Sequence, residues 1–281
     1  MQKRAIAVQD ISCVGRCSLT VVLPILSAAG INTSIIPTAL LSTHTGEFVG
    51  YTHLDLSNQL SPITTHLNTL GIHFDSFYSG YLASSAQVEE IIHMIDQLCD
   101  SHTHVFVDPV FADHGRMYSL MPLDMPKHMK RLCSHARTIV PNITEASLLL
   151  DQPYPGDQLS KEIVTDFCQK LCDLGPENVV ITDVTLHPGE TGIAIFTRGM
   201  DSPIFLFRKH YDGMFHGTGD TFASFLLGSL LQGKSLETSA RIALDLIHEC
   251  IRLALEGGEP LRYGVPFELV LPKFWSVLHS D

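Results

Sequence analysis

Short β-branched runs alternate with longer amphipathic stretches along most of this chain, and this alternation constrains its fold more than any other feature. Strands are predicted at 5–8, 33–37, 74–79, 104–107, 138–140 and 178–182, and helices at 18–29, 55–70, 88–98, 123–134, 143–150 and 160–174. Because parallel strands need long, usually helical, connections, the pattern predicts a layered α/β protein with a parallel sheet. Two further runs, 192–197 and 203–211, predict a β-hairpin, followed by helices at 236–256 and 267–279.

Polar residues follow the predicted strands where each strand ends. They lie at 10–12, 43–45, 81, 108–113, 142–145 and 182–183. The carboxyl ends of parallel strands share one edge of a sheet, and ligands bind along that edge. Since no linker, break in composition or fixed repeat divides the 281 residues, we expect a single domain spanning residues 1–281.

Composition narrows the class of function. The net charge of −12 argues against sequence-independent binding to nucleic acid, which requires basic surface. The apolar run at 5–8 is too short for a signal peptide, and no stretch approaches the roughly 18 apolar residues of a membrane span. We therefore expect a cytoplasmic protein with no membrane partner. The seven cysteines lack zinc-ligand spacing and are expected to be reduced and buried.

The segment His216-Gly217-Thr218-Gly219-Asp220 is a glycine-rich turn that runs into an apolar helical stretch. Backbone N–H groups at such a helix start bind anions, and glycines let a phosphate approach closely. A carboxylate beside this turn suggests phosphoryl transfer, in which Asp220 accepts a proton and the N–H groups stabilise negative charge. The structural alternative is that Asp220 serves only as the N-cap of the helix.

Two further segments carry oxygen ligands suited to Mg²⁺. Asp108 and Asp113 follow one predicted strand, and Asn142 with Glu145 follows another. Mg²⁺ keeps most of its waters and is usually held by one or two carboxylates plus substrate phosphates. The alternative is again structural, with Asp113 in a turn and Asn142 and Glu145 forming a capping box.

Taken together, the motifs resemble the ribokinase superfamily over nearly the whole chain. They are Ser79-Gly80-Tyr81-Leu82, Asp108-Pro109-Val110 with Asp113, Pro141-Asn142 with Thr144-Glu145, and Gly217-Thr218-Gly219-Asp220. Within the superfamily the chain is most similar to bacterial pyridoxal kinases. Its N-terminal loop lacks the paired-glycine and Asn signature of sugar kinases, and the loop at 42–51 is too short for a β-sheet lid. The resemblance implies a three-layer α/β/α ribokinase-like fold with a mainly parallel central sheet and no separate lid domain.

The resemblance also implies a role for individual residues in the ATP-dependent phosphorylation of a B6 vitamer. Asp220 matches the catalytic base that deprotonates the 5′-hydroxymethyl group. The N–H groups of Gly217, Thr218 and Gly219 match the anion hole. Residues matched to the substrate pocket are Asp10, Ser12, His44, Thr45 and Tyr81.

The nucleotide and the metal ion are assigned in the same way. Residues matched to the nucleotide are Asn142, Thr182, Tyr118, Gly217 and Gly219, and residues matched to Mg²⁺ are Asp108, Asp113 and Glu145. Gly115, Met117 and Tyr118 resemble a flap that closes over ATP. A monovalent cation such as K⁺ is a further possible cofactor, and the family suggests a homodimer with an interface on an early helix.

One position departs from the pyridoxal kinase pattern. Asp10 stands where a small hydroxyl residue is expected, whereas hydroxymethylpyrimidine kinases carry an Asp in that loop. Those enzymes usually have Cys in place of Asp220, which favours a B6 vitamer as substrate. The alternatives are a hydroxymethylpyrimidine or sugar kinase, or a non-catalytic vitamin or nucleotide sensor with the same fold.

Overall fold

The computed structural model describes residues 2–279 and divides the chain into two compact units. The terminal unit contains the chain up to Ser76 and from Tyr211 onward, and the central unit contains Phe77–His210. The single domain predicted from the sequence stays a prediction.

The described residues form eleven strands and nine α-helices. The strands are β1 (Arg4–Ser12), β2 (Asn32–Leu41), β3 (His53–Asp55), β4 (Ser76–Ser79), β5 (His104–Val107), β6 (Ala112–Asp113), β7 (Arg116–Met117), β8 (Thr138–Ile139), β9 (Asn178–Val184), β10 (Glu190–Thr197) and β11 (Ile204–Lys209). The helices are α1 (Leu19–Ala28), α2 (Ser57–Thr69), α3 (Ser85–Leu98), α4 (Met125–Ser134), α5 (Ile143–Leu149), α6 (Lys161–Asp173), α7 (Thr218–Leu231), α8 (Leu236–Gly257) and α9 (Leu271–His279).

The terminal unit is built on β1, which pairs in parallel with β2, while β3 pairs antiparallel with the other side of β2. Residues 5–10 of β1 are all buried, as expected for a parallel strand covered on both faces. Helix α7 packs against α1 and α8 and buries every residue from Thr221 to Ser229. A helix that is apolar all round needs such burial. This packing holds the start of α7 in a fixed position within the unit.

In the central unit the neighbouring strands of the sheet follow the order β4, β5, β8, β9, β10, β11. The pairs β5–β8 and β8–β9 are parallel, and β10 is antiparallel to both β9 and β11, which confirms the predicted hairpin. Serines cap two of the helices, because Ser84 and Ser160 accept hydrogen bonds from the backbone N–H of the third residue of α3 and α6.

Three features differ from the sequence predictions. Strands β6 and β7 form a small hairpin around His114 and Gly115, whose φ angles are +49° and +76°. Strand β3 occupies the start of the helix predicted at 55–70. The strand ends at Asp55, whose carboxylate accepts a hydrogen bond from the Ser57 N–H at 2.8 Å. The predicted final helix is split, with a 3₁₀ turn at Phe267–Val270 before α9.

Within the described range, no helix is both long and apolar enough to cross a membrane.

Candidate active site

Asp220 is the third residue of α7 and is half-buried. The N-cap of this helix is Gly217, in the left-handed conformation with φ of 72°, so the capping alternative for Asp220 is wrong. Its carboxylate Oδ2 instead accepts a hydrogen bond from the Ser18 N–H at 2.8 Å. The carboxylate is therefore held by a distant part of the chain rather than by its own helix.

The surroundings of Asp220 suit a base that works near neutral pH. Burial raises its pKa from 3.8 to about 7, the Ser18 N–H opposes this rise, and the nearby carboxylate of Asp10 adds to it. A pKa near the working pH gives a general base both a useful ionised fraction and enough driving force to take a proton.

The two glycines before Asp220 differ in what surrounds them. A Cβ on Gly217 would lie 1.9 Å from the carbonyl oxygen of Arg16, so the fold itself requires glycine there. A Cβ on Gly219 would meet nothing within 4 Å, and this residue is exposed. The N–H groups at the start of α7 have no partners within their own helix. The space beside Gly219 leaves them open to an anion.

His44 is buried, and both of its ring nitrogens are hydrogen-bonded to backbone groups. The Gly46 N–H donates to Nδ1 at 3.1 Å, so Nε2 carries the proton and donates to the Arg262 carbonyl oxygen at 2.6 Å. Burial lowers the pKa of His44, which keeps the ring neutral. The neighbouring Thr45 is exposed, and contact of either residue with a substrate stays a prediction.

The loop that follows His44 is attached to the residue before the anion turn. Glu47 accepts a hydrogen bond from His216 Nε2 at 2.9 Å. The rings of His44 and Phe48 meet edge to face at 5.0 Å, and Phe48 contacts Tyr263 in the same way at 5.5 Å. The pocket loop, residues 42–50, is therefore fixed at both its middle and its end.

Four glycines in the terminal unit mark places where its loops touch. Gly15 lies against the His44 ring, Gly46 against the His216 ring, Gly217 against the Arg16 backbone and Gly264 against Arg16 as well; a Cβ on any of them would come within 3 Å of its neighbour. Side chains larger than hydrogen do not fit at such separations. We call these positions the glycine contacts.

Asp10 and Ser12 lie on β1 in the same unit, and both are buried. Asp10 accepts hydrogen bonds from the hydroxyls of Ser18 at 2.5 Å and Ser12 at 3.5 Å. Burial raises the pKa of Asp10, and these hydroxyls oppose the rise. Ser18 belongs to none of the sequence motifs described above. Only its position in a glycine-containing loop after the first strand points to a functional role.

In the central unit, Asn142 and Glu145 form the capping box of α5. Glu145 Oε2 accepts from the Asn142 N–H at 2.8 Å, and Oε1 accepts from the N–H groups of Phe111 at 3.1 Å and Ala112 at 3.4 Å. The structural alternative is confirmed for this pair. It does not exclude a second role, because a carboxylate has about four lone-pair positions.

Asp108 and Glu145 are both buried, and they are close enough to interact. Burial raises the pKa of Glu145 well above its ordinary value, and the Asp108 carboxylate adds to the rise. Asp113 is more exposed, on β6. Among residues 2–279, no three His, Cys, Asp or Glu side chains are grouped to hold a metal ion. Two repelling carboxylates still fit Mg²⁺, which needs only one or two beside phosphates and water.

The remaining predicted residues of the central unit lie on or beside its strands. Thr182 is half-buried on β9, where its N–H donates to the Pro141 carbonyl oxygen at 2.9 Å. Tyr81 is half-buried after β4, and Tyr118 is exposed directly after β7. The hairpin that Tyr118 follows is tied to α5, since the Gly115 N–H donates to Thr144 Oγ1 at 3.0 Å.

A mainly parallel α/β fold with a carboxylate at a glycine-rich helix start is the architecture of the ribokinase-like kinases. The predicted fold is confirmed by the solved structure of pyridoxal kinase from Lactobacillus plantarum, with a TM-score of 0.89, 29% identity and coverage of 99% of this chain and 98% of that chain. The sequence matches the family described as phosphomethylpyrimidine kinase over residues 25–263, and the chain belongs to this family. It is thus an enzyme of the phosphotransferase class.

Individual relatives bear on the substrate. A candidate phosphomethylpyrimidine kinase from Bacteroides thetaiotaomicron, whose structure is a form with pyridoxal, is 36% identical with a TM-score of 0.92, covering 98% of this chain and 96% of that chain. A pyridoxine/pyridoxal/pyridoxamine kinase from Bordetella bronchiseptica is 25% identical over 90% of each chain.

Proposed function

We propose that this protein phosphorylates the 5′-hydroxymethyl group of pyridoxal, pyridoxine or pyridoxamine, with ATP as phosphate donor. The observation that carries the proposal is Asp220, a carboxylate with a pKa of about 7 at the glycine-rich start of α7. Family membership and the pyridoxal-containing structure of the 36% identical relative support it.

In this reaction Asp220 accepts the proton of the 5′-hydroxyl as its oxygen attacks the terminal phosphorus. The new oxygen–phosphorus bond forms while the bond to the bridging oxygen of ADP breaks, and the electron pair leaves with ADP. The N–H groups of Gly217, Thr218 and Gly219 stabilise the charge on the transferred group. A pure binder would gain nothing from a base beside an anion site, so the geometry favours catalysis over a sensor.

Asp108 and Glu145 are the residues that would hold Mg²⁺, directly or through its waters, with Asp113 as an outer partner. The ion supplies charge neutralisation of the phosphate oxygens when bound. Asn142, Thr182 and Tyr118 are assigned to the nucleotide. A K⁺ ion and a homodimer remain expectations from the resemblance.

The second candidate is a hydroxymethylpyrimidine kinase. The observation in its favour is Asp10, a buried carboxyl group on the strand beside Asp220, and the description of the family agrees with it. A carboxyl group at this position can accept a hydrogen bond from a ring amine, a protonated ring nitrogen or a ring hydroxyl.

The test measures ADP release by the purified protein with ATP and Mg²⁺. Pyridoxal, pyridoxine, pyridoxamine, hydroxymethylpyrimidine and ribose are supplied in parallel. Turnover with the B6 compounds supports the proposal and ranks the vitamers. Turnover with hydroxymethylpyrimidine alone supports the second candidate, and no turnover with any compound overturns both.

A further inference from the structure

Ser18 connects two carboxyl groups in the terminal unit. Its backbone N–H donates to Asp220 Oδ2 at 2.8 Å, and its hydroxyl donates to Asp10 Oδ1 at 2.5 Å. Hydrogen bonds to ionised acceptors are short and strong. A single residue thus holds the candidate base with one group and a second carboxyl with the other.

The backbone of Ser18 shows that these bonds replace its ordinary role. It precedes α1, where a serine normally turns its hydroxyl onto its own helix, but this hydroxyl makes no capping bond. Its φ of 53° and ψ of −132° are also unusual for a residue with a side chain. Such strain persists only where the surroundings fix the residue, and it is concentrated at functional sites.

Among residues 2–279, two other titratable groups interact with Asp220. Asp10 faces it from β1, and Cys17 faces it from the loop before α1. Burial raises the pKa of the Cys17 thiol well above 9.0, and the two carboxylates add to the rise, so this thiol stays neutral. Asp10 is therefore the charge that opposes ionisation of Asp220, and the Ser18 N–H is the group that favours it.

We propose that Ser18 and Asp10 are positioning residues for phosphoryl transfer: Ser18 fixes the carboxylate of Asp220 in place, and Asp10 both anchors Ser18 and acts on Asp220 by its charge. The inference rests on the proposed function, in which Asp220 is the base. It gives Asp10 a task separate from its predicted contact with the substrate ring.

The two residues act on Asp220 in opposite directions, which makes the proposal testable. Asp10→Asn removes a like charge, so the pKa of Asp220 should fall by about one unit. Ser18→Gly keeps the N–H and tolerates the φ angle, but it loses the anchor to Asp10. The bond to Asp220 should then weaken and the pKa of Asp220 should rise.

The measurement is a titration of the Asp220 carboxyl by ¹³C NMR in the free protein, with the signal assigned from its loss in Asp220→Asn. The acid limb of the kcat profile should move in the same two directions. Ser224→Ala is the matched control, because it removes a buried hydroxyl bonded at 2.6 Å to the backbone oxygen of Asp220 but not to its carboxylate. It should leave the titration unchanged.

Unchanged titrations in both folded variants, or shifts of the same sign, overturn the inference, since a merely structural role would not produce opposite shifts. Circular dichroism establishes that each variant is folded. Because the NMR titration uses no substrate, it decides the inference separately from the ADP-release assay that decides the proposed function.

Discussion

Asp220 is the residue on which the proposed chemistry depends most. Replacing it by Asn keeps the shape and the hydrogen-bond acceptor for Ser18 but removes the base. We expect kcat to fall by a factor on the order of 10² to 10⁴, with nucleotide affinity nearly unchanged. Steady-state kinetics together with calorimetric titration of the nucleotide measures both quantities. A variant with normal turnover would show that Asp220 is not the base.

The pH dependence follows from the same carboxylate. Since Asp220 must be ionised to accept a proton and its pKa is about 7, kcat should fall as pH drops below 7.

The stability of the folded protein should change with pH in the opposite sense. A carboxyl whose pKa is raised on folding favours the folded state below 3.8 and loses that contribution as pH rises toward 7. Wild-type protein should therefore lose thermal stability relative to Asp220→Asn over this interval, as calorimetry at several pH values would measure.

Gly217 and Gly219 should respond differently to the same substitution. Gly217→Ala places a methyl group against the Arg16 carbonyl at a positive φ and should destabilise the fold by more than about 1 kcal/mol. Gly219→Ala has room and a better helix former, so stability should hold or increase by up to about 1 kcal/mol. Its kcat should nevertheless fall if the proposed anion hole is correct, because the methyl group would take up open space beside the N–H groups. Equal activity of Gly219→Ala and wild type would argue against the anion hole.

A functional residue can be predicted from the sequence when its partners are its neighbours along the chain. It is missed when its partners are distant in the sequence and meet it only in the folded protein. Asn142 with Glu145 and the glycines before Asp220 are local patterns. Ser18 meets Asp220 across 202 positions, and His44 meets the Arg262 backbone across 218. No local pattern encodes such partners. The predicted tasks of His44, Thr45 and Tyr81 toward a substrate therefore remain predictions.

At the scale of elements, the pocket loop is held by the hydrogen bond between His216 and Glu47. Glu47→Gln removes the charge of the acceptor and weakens this attachment, and since a side-chain hydrogen bond contributes about 1 kcal/mol, KM for the vitamer should rise by up to about fivefold. The values of kcat and of KM for ATP should stay the same. Val49→Ala, in the same loop at a side chain that is 96% exposed, is the control and should change neither constant. An unaltered vitamer KM in Glu47→Gln would contradict the attachment.

Most elements follow from the alternation of apolar patterns, with ends displaced by a few residues. The exceptions are too short or too irregular for periodicity to detect. Strands β6 and β7 have two residues each and exist because the turn at His114 and Gly115 reverses the chain. The split before α9 comes after Pro266, which begins a 3₁₀ turn where a continuous helix was expected.

At the scale of the whole molecule, the expected homodimer needs an apolar surface. On the early helix α1 most apolar residues are buried while Leu23 and Pro24 are half-buried, and an interface on this helix stays a prediction. Exposed apolar side chains lie instead on β2 and β3, at Ile35, Leu40 and Leu54. If the protein forms dimers through this face, Leu54→Asp should convert them to monomers, as light scattering during gel filtration would show. Dimers that survive this change would place the interface elsewhere.

The glycine contacts have a consequence for how proteins of this architecture diverge. The loops around residues 15, 46, 217 and 264 have coupled shapes, because each approaches its neighbour more closely than a methyl group would allow. A graft that moves a single one of them from a relative into this chain should create a steric mismatch at its neighbour. Transplanting these loops by engineering would therefore require exchanging all four segments as a set, and natural lineages should inherit them together.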